Sequence, residues 1–348
     1  MSRVVILDEI DGRPVAALLV DGALHDLAID PAPDTILPGA VFRAVADRPM
    51  KGMGGMFVKL PGGVSGFLRQ TAGLAPGRPV IVQVSGPAEA GKALPVTTRL
   101  LFKSRFVIVT PSAPGLNISR RIKDTVARAA LQAMAEAGMA GADDGLGLIL
   151  RTASDGAEPD AVAEDIVAMR SLAEAVMADL TGPPELLFDG ATAHDVALRD
   201  WLNPEPDALV TDPGSLASHD VIEMIADLLT PRVGLSSGHM FIEPTRALVA
   251  VDVNTGPDTS PAAALKANIA AARDLPRQLR LRGLGGQVVV DFAPVPKRDR
   301  AILDQVLRAA FKGEAAETSL AGWTTLGLYE MVRRRDRLAL ADLLPGGV

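Results

Sequence analysis

Cysteine is absent from this chain of 348 residues. That excludes disulfides, a thiol nucleophile and any zinc site built on thiolates. Histidine is nearly as scarce. His25, His194, His219 and His239 stand far apart with no His-x-x-x-His pair, so the chain points away from zinc and leaves carboxylates as its metal ligands. No apolar run is long enough to cross a bilayer, although apolar residues make up 48% of the chain. The amino terminus, Met1 to Glu9, carries acids where a signal peptide needs an unbroken apolar stretch. A soluble, cytoplasmic protein is expected. An excess of positive charge is lacking as well: the net charge is −7, which taken alone argues weakly against a nucleic-acid partner. A chain of this length can bury sizeable cores and form two or more domains.

What the chain does have is a pair of aspartates, each closing an apolar strand. The first closes Arg246-Ala247-Leu248-Val249-Ala250-Val251-Asp252 and runs on through Val253-Asn254-Thr255-Gly256. The second closes Gly285-Gly286-Gln287-Val288-Val289-Val290-Asp291. A helical stretch ending in Arg277 to Arg282 lies between them. Strand, helix, strand is a βαβ unit with parallel strands, and ligands gather at the carboxyl ends of such strands. Both aspartates are expected there. Two carboxylates held together make a poor core but a good site for a hard divalent cation such as Mg2+. The plainer alternative is strand-end capping or ordinary ion pairing. Asn254, two residues after Asp252, faces the same side if the strand continues; otherwise it is a turn residue before Thr255-Gly256. Pro276 interrupts the intervening helix and is expected to kink it.

Cations are clustered rather than spread. They lie at Arg120-Arg121-Ile122-Lys123, at Arg277 to Arg282, at Lys297-Arg298-Asp299-Arg300 and at Arg333 to Arg337. The last three clusters flank the aspartate segments in sequence. A basic rim around an acidic centre suits a polyanionic substrate bound with a metal; solvated helix faces are the bland alternative.

Elsewhere the patterning predicts a mixed, multidomain fold. Val4 to Leu7 and Pro14 to Val20 flank Asp11-Gly12 as a strand hairpin. Between residues 38 and 98, short strands broken by glycines predict a small β-barrel. Aromatics are only 3% of the chain, yet Phe57 and Phe67 fall near turns of this segment, either to stack on bases or to fill the barrel. Gly86-Pro87-Ala88-Glu89-Ala90-Gly91-Lys92-Ala93 nearly spells a phosphate-binding loop. It lacks the hydroxyl at Ala93, and a strand rather than a helix follows, so an NTPase is not expected. Lys92 remains as a point charge for phosphate. Beyond residue 100 the pattern is α/β, with a helix over 120–138 turning Val126, Ala129, Ala130 and Met134 to one face. Arg151 and Thr152 end the next strand. They suit a bound phosphate, and a pairing of Arg151 with a nearby acid suits the position equally. A long alanine-rich helix over 158–180 and a short helix near Val221 to Leu229 follow. The strand Met240 to Glu243 then forms a hairpin with the Asp252 strand about a two-residue turn.

Gly238 to Gly256 and Arg277 to Phe292 resemble the catalytic segment of the ribonuclease E/G family. Pro114 to Ile122, Arg151-Thr152-Ala153 and Leu326-Gly327-Leu328-Tyr329-Glu330-Met331 resemble further segments of that family in the expected order. The resemblance implies an α+β and α/β multidomain fold. An S1 (OB-type) β-barrel at 37–98 would be inserted in an RNase H-like subdomain at 1–36 and 195–229. A 5′-sensor subdomain at 99–194 and a DNase I-like catalytic subdomain at 230–348 would complete it. The resemblance also implies Mg2+-dependent endonucleolytic cleavage of single-stranded RNA, in RNA processing or decay, leaving a 5′-phosphate and a 3′-hydroxyl. Mn2+ would serve in place of Mg2+, and no zinc would be needed. Asp252 and Asp291 match the family's metal-binding aspartates, and Asn254 its catalytic asparagine. Phe57, Phe67 and Lys92 match residues of the S1 barrel that grip RNA. Arg151 and Thr152 match the pair that recognises a 5′-monophosphate, and Arg120 an arginine of the same region.

The chain also departs from the family pattern. Ser104 replaces a glycine that presents its backbone N–H to the 5′ phosphate. The Cys-x-x-Cys zinc link between subunits is missing, so a monomer or dimer is expected rather than the family tetramer. The S1 and RNase H-like segments look shortened. Two competing readings follow. One is an RNA-binding protein of the same fold with weak or partner-dependent cleavage. The other is a metal-dependent phosphatase or DNase with no preference for RNA.

Overall fold

In the computed structural model, which describes residues 2–50, 52, 54–69, 73–88 and 91–347, the chain folds around four sheets. The first begins with β1 (Arg3–Ile10), β2 (Arg13–Val20) and β3 (Ala23–Ile29), a meander whose two tight turns are both Asp-Gly. Asp11 and Gly12, like Asp21 and Gly22, have positive φ, the backbone that two-residue hairpin turns require. The expected hairpin is present.

The barrel follows, from β4 (Val41–Pro49), β5 (Met56–Lys59), β6 (Ser65–Leu68), β7 (Pro79–Val84) and β8 (Leu94–Thr97). It closes because β4 pairs with both β5 and β7, while β6 and β8 run parallel. Closure removes the exposed strand edges. Phe42, Val58, Leu68, Val82 and Val96 fill its interior. Glu89 and Ala90, in the segment resembling a phosphate-binding loop, lie outside the described residues.

The third sheet has the order β11-β12-β10-β9, from β9 (Phe102–Lys103), β10 (Val107–Pro111), β11 (Gly115–Ile118) and β12 (Leu146–Leu150). Two helices, α1 (Thr125–Gly138) and α2 (Pro159–Ala178), share a core with it. The first starts five residues later than the pattern predicts, because the Asp124 carboxylate accepts from Ala127 N at 2.7 Å and caps it there. Its inward stripe is Ala127, Leu131, Met134 and Ala135, and Val126, expected inward, is 76% exposed. Strand β13 (Glu185–Phe188) then pairs with β4 of the barrel. Helix α3 (Ala193–Asp200) crosses back to one face of the first sheet, with Trp201 against Val5, Leu7 and Leu18. Strand β14 (Ala208–Val210) joins β1 in parallel, and after the one-turn α4 (Ser215–Ser218), helix α5 (Val221–Leu228) covers the other face.

The last sheet has the order β15-β16-β17-β18-β20-β19. In chain order it comprises β15 (Arg232–Gly234), β16 (His239–Pro244), β17 (Val249–Asn254), α6 (Pro261–Leu281), β18 (Gly286–Asp291), α7 (Arg300–Phe311), β19 (Thr318–Trp323) and β20 (Tyr329–Arg333). A final turn of helix, α8 (Leu340–Leu343), packs on the first sheet. Strands β17 and β18 are parallel and α6 connects them, as the βαβ pattern predicts. The β16–β17 turn spans four residues rather than two. The Thr245 hydroxyl accepts from Ala247 N and Leu248 N and donates to Leu248 O, and so builds the extra turn. Pro276 is buried inside α6, which continues through it as one helix. Among the described residues, no helix is long and apolar enough to cross a membrane.

Among the described residues, α6 and α7 cover one face of this sheet. Met240, Ile242, Val251, Val253, Val288 and Val290 pack against α6 and α7. Strict alternation therefore turns every second residue of the central strands to the other, open face.

Candidate active site

On that open face, Asp252 of β17 is the register partner of Asp291 of β18. Register partners on adjacent parallel strands stand about 4.8 Å apart and point to the same side. Buried valines on both sides of Asp252, and before Asp291, hold the backbone against α6 while both carboxylates are exposed. Among the described residues, neither carboxylate has a salt bridge. Asn254 continues β17 on the same face, and its Nδ2 donates to Asp252 Oδ2 at 2.9 Å. That bond fixes one carboxylate oxygen and leaves the other open. The backbone under Asn254 depends on Gly238, whose φ is +75°; a Cβ there would lie 2.1 Å from the Asn254 carbonyl oxygen.

A residue not foreseen from the pattern steadies the other acid. Asn268 on α6 is fully buried; its Nδ2 donates to Ala293 O at 2.8 Å and its Oδ1 accepts from Ala293 N at 2.9 Å. This paired amide grips the chain two residues after Asp291. Its signal is visible in hindsight: one asparagine inside the apolar stripe of Ala264, Ala267, Ala271 and Ala272.

Two carboxylates with an asparagine suit a divalent cation that keeps several waters and shares its shell with a phosphate, as Mg2+ does. Among the described residues, no group of three or more His, Cys, Asp or Glu side chains is placed to hold a metal, so the fit is to a water-rich site rather than a closed protein cage.

The expected basic rim is largely not there. Helix α6 runs antiparallel to the strands it joins, so Arg277, Arg280 and Arg282 lie at the opposite end of the sheet from the two acids. Strand β20 is antiparallel to β18 and pairs Arg333 with Gly286, which sends the 333–337 cluster to that far end too. There the cations are consumed by structure. Arg280 and Arg333 share Glu314, the latter at 3.0 Å, and Arg337 pairs with buried Asp26 at 2.6 Å. Arg277 binds Asp274 and the Leu24 carbonyl, and Arg282 the Thr230 carbonyl. Burial pushes the Arg282 guanidinium down to about 10. This network ties the first sheet to the last. Of the clusters that flank the acids, the one at Lys297 to Arg300 stays near the acid end, just after β18; Lys297 and Arg298 are exposed, and the Arg300 guanidinium lies over the Trp323 ring at 4.6 Å.

The barrel brings its three candidates together. Phe57 and Phe67 are cross-strand partners with ring centroids 5.4 Å apart, both half-buried on the outside of the barrel. Phe57 and Lys92 line one groove of about 600 Å³, with Asp34, Arg48, Pro87 and Leu338 among its other walls. The Arg48 guanidinium lies over the Phe57 ring at 5.0 Å.

The candidate phosphate sensor is assembled but engaged. Strands β11 and β12 are parallel, so Arg120 and the Arg151-Thr152 pair follow neighbouring carboxyl ends, and the Ser119 and Thr152 hydroxyls meet at 2.9 Å. Arg120 is exposed. The Arg151 guanidinium, however, binds Asp200 Oδ1 at 2.5 Å and the Ser104 carbonyl. Burial pushes the Asp200 carboxyl up, but its hydrogen bonds and ion pairs with Arg199 and Arg151 outweigh this and hold it below the ordinary value of 3.8. The Ser104 N–H, at the position where the family glycine presents its donor, is donated to Val107 O at 3.0 Å. The Ser104 hydroxyl in turn donates to Asp165 at 2.5 Å.

A family model described as the ribonuclease E/G family matches residues 102–219 and 215–336. Ribonuclease E of Nostoc is 29% identical in an alignment spanning 99% of this chain and 57% of the relative. That alignment runs over 399 positions against 348 residues here, so the relative carries insertions. Ribonuclease E of Synechocystis is 30% identical over 79% of this chain and 47% of its own length. Ribonuclease G of Escherichia coli is 29% identical over 77% of this chain and 62% of its own. The chain thus spans roughly half to three fifths of the curated relatives it matches.

Proposed function

The chain belongs to the ribonuclease E/G family, and from that premise we propose that it is an endoribonuclease. It would cut single-stranded RNA with the help of Mg2+, or Mn2+ in its place, in cytoplasmic RNA processing or decay. The observation that carries the reading is the register pairing of Asp252 with Asp291 on an open sheet face, with Asn254 bonded to one of them. The two aspartates would hold the cation, which supplies charge stabilisation at a phosphoryl oxygen and an acidified water. Asn254 holds Asp252 in one orientation, and its neutral amide can meet the scissile phosphate without competing for the cation. Attack of water on phosphorus with cleavage of the P–O3′ bond would leave a 5′-phosphate on one product and, once the departing oxygen takes a proton, a 3′-hydroxyl on the other.

The strand would reach this site from the barrel groove. Phe57 and Phe67 offer ring faces for bases and Lys92 a charge for the backbone, with stacking contributing roughly 1–3 kcal/mol per base. Arg120, Arg151 and Thr152 would receive a 5′-monophosphate once Arg151 exchanges Asp200 for it. Asp291→Asn tests the reading directly, with cleavage and binding of a 5′-monophosphorylated single-stranded RNA measured side by side. Cleavage collapsing while binding stays within a few-fold supports it. Binding without cleavage by the unsubstituted protein, across several A/U-rich substrates and with Mg2+ present, points instead to an RNA-binding role.

A further inference from the structure

The open face of the last sheet carries a second feature beside the two acids. Strand β16 is the antiparallel neighbour of β17, and its register sets Phe241 directly across from Asp252 and His239 directly across from Asn254. Cross-strand partners lie about 4.5–5.5 Å apart and share a face. Phe241 and His239 are both half-buried and lie outside the core that Met240 and Ile242 enter from the other face. Their ring centroids are 5.4 Å apart at 84°, an edge-to-face pair. Such a pair uses at most one ring face between its two members, so flat apolar surface is left toward the open side.

Aromatic rings are rare in this chain and mostly committed. Phe42, Phe102, Phe292, Phe311 and Tyr329 are buried. The other residues of this face near the acids are not aromatic: Ala250 on β17, Val289 and Gln287 on β18, and Glu330 on β20. A half-buried phenylalanine one strand away from an exposed carboxylate adds no core packing that a leucine would not. Next to a phosphate held at Asp252 and Asp291, it stands within one nucleotide's reach.

We propose that Phe241 and His239 form a base-stacking subsite that holds the nucleotide adjoining the scissile phosphate. The inference rests on the proposed ribonuclease reading and adds a site to it. The Phe241 ring takes the base face, and His239 braces the ring edge-on. Because the subsite lies across β17 from Asp291, it fixes the direction in which the strand crosses the sheet. Stacking accepts any base, so the subsite positions the chain more than it reads sequence.

The test uses the Asp291→Asn protein and single-stranded oligoribonucleotides in which 2-aminopurine replaces one base at a time. Stacking on a ring quenches its fluorescence. The expected result is strong quenching at one position beside the cleavage point. It should be lost with Phe241→Leu in the same background and retained with Phe241→Tyr. In the otherwise unsubstituted enzyme, Phe241→Leu should lower kcat/KM roughly fivefold or more, with Tyr restoring it. Equal quenching and equal kcat/KM for Phe241→Leu and the parent overturn the proposal while leaving the ribonuclease reading intact. A Tyr variant as impaired as the Leu variant, with thermal melts unchanged in both, also overturns it. A parent protein that binds RNA without cutting it fails the ribonuclease reading alone, and the quenching series still decides this one. A parent that binds no single-stranded RNA overturns both.

Discussion

The two places proposed to meet phosphate in this chain are built in opposite ways. At the carboxyl ends of β17 and β18, Asp252 and Asp291 face solvent without a salt bridge among the described residues, set in register by buried valines. At the end of the smaller sheet, Arg151 is already held by Asp200 and by the Ser104 carbonyl, and the Ser104 N–H is donated elsewhere. The first place is open: both carboxylates are exposed, and Asn254 Nδ2 bonds one oxygen of Asp252. The second is engaged: Arg151 shares with Arg199 a carboxylate that the two hold in its charged form, which a phosphate would have to displace on the proposed reading. On the proposed reading, an open acid pair and an engaged arginine would let cutting be general and 5′-end preference be adjustable.

The sharpest way to break this contrast is Asp252→Asn. Cleavage should fall on the order of 10²–10³-fold or more, equally for 5′-monophosphorylated and 5′-hydroxyl RNA, with binding little changed. A loss confined to monophosphorylated RNA would mean that the two places are not separate. Next in size is Asn268→Ala, which orphans the Ala293 N–H and C=O behind Asp291. Denaturant unfolding should show a loss of about 1–3 kcal/mol, and cleavage should drop further than the melt alone explains.

Asp200→Asn sharpens the other side. Removing the carboxylate charge should raise the preference for 5′-monophosphorylated over 5′-hydroxyl RNA a few-fold, an effect of about 1 kcal/mol on competition binding. The same pair carries a pH signature. Because the folded carboxyl titrates below 3.8, its stabilisation is complete above that value and disappears as pH falls through the lower folded value. Acid melts should therefore converge for parent and Asp200→Asn only at strongly acidic pH. The smallest effect is expected on the outer face of α1. Val126→Ser should shift stability by no more than about 0.5 kcal/mol, whereas Leu131→Ala, farther along α1 and buried, should cost about 2–5 kcal/mol.

Much of the acid site was legible before any coordinates. Two apolar strands ending in aspartate, separated by one helix length, admit few arrangements, and period-two alternation already places Asn254 with Asp252. The fate of the cations was not legible. Arg277 to Arg282 and Arg333 to Arg337 adjoin the aspartate segments in sequence, but each antiparallel return carries them a full strand length away, to the end where Asp26 and Glu314 wait. The partners of Arg151 were hidden for a related reason: Asp200 is 49 residues distant and arrives on a helix that belongs mainly to another sheet. Asn268 and Phe241 are single residues whose meaning depends on register. Spacing alone gives the face of a strand but not which neighbour stands across from it.

The central claim, that Asp252 and Asp291 together hold one divalent cation, is most directly tested by titrating Mn2+ into the protein and following free Mn2+ by electron paramagnetic resonance. One site per chain is predicted, weakened at least about tenfold by Asp291→Asn and equally by Asp252→Asn, at unchanged fold. Mn2+ binding with the same affinity and stoichiometry in the parent and both variants would contradict the account.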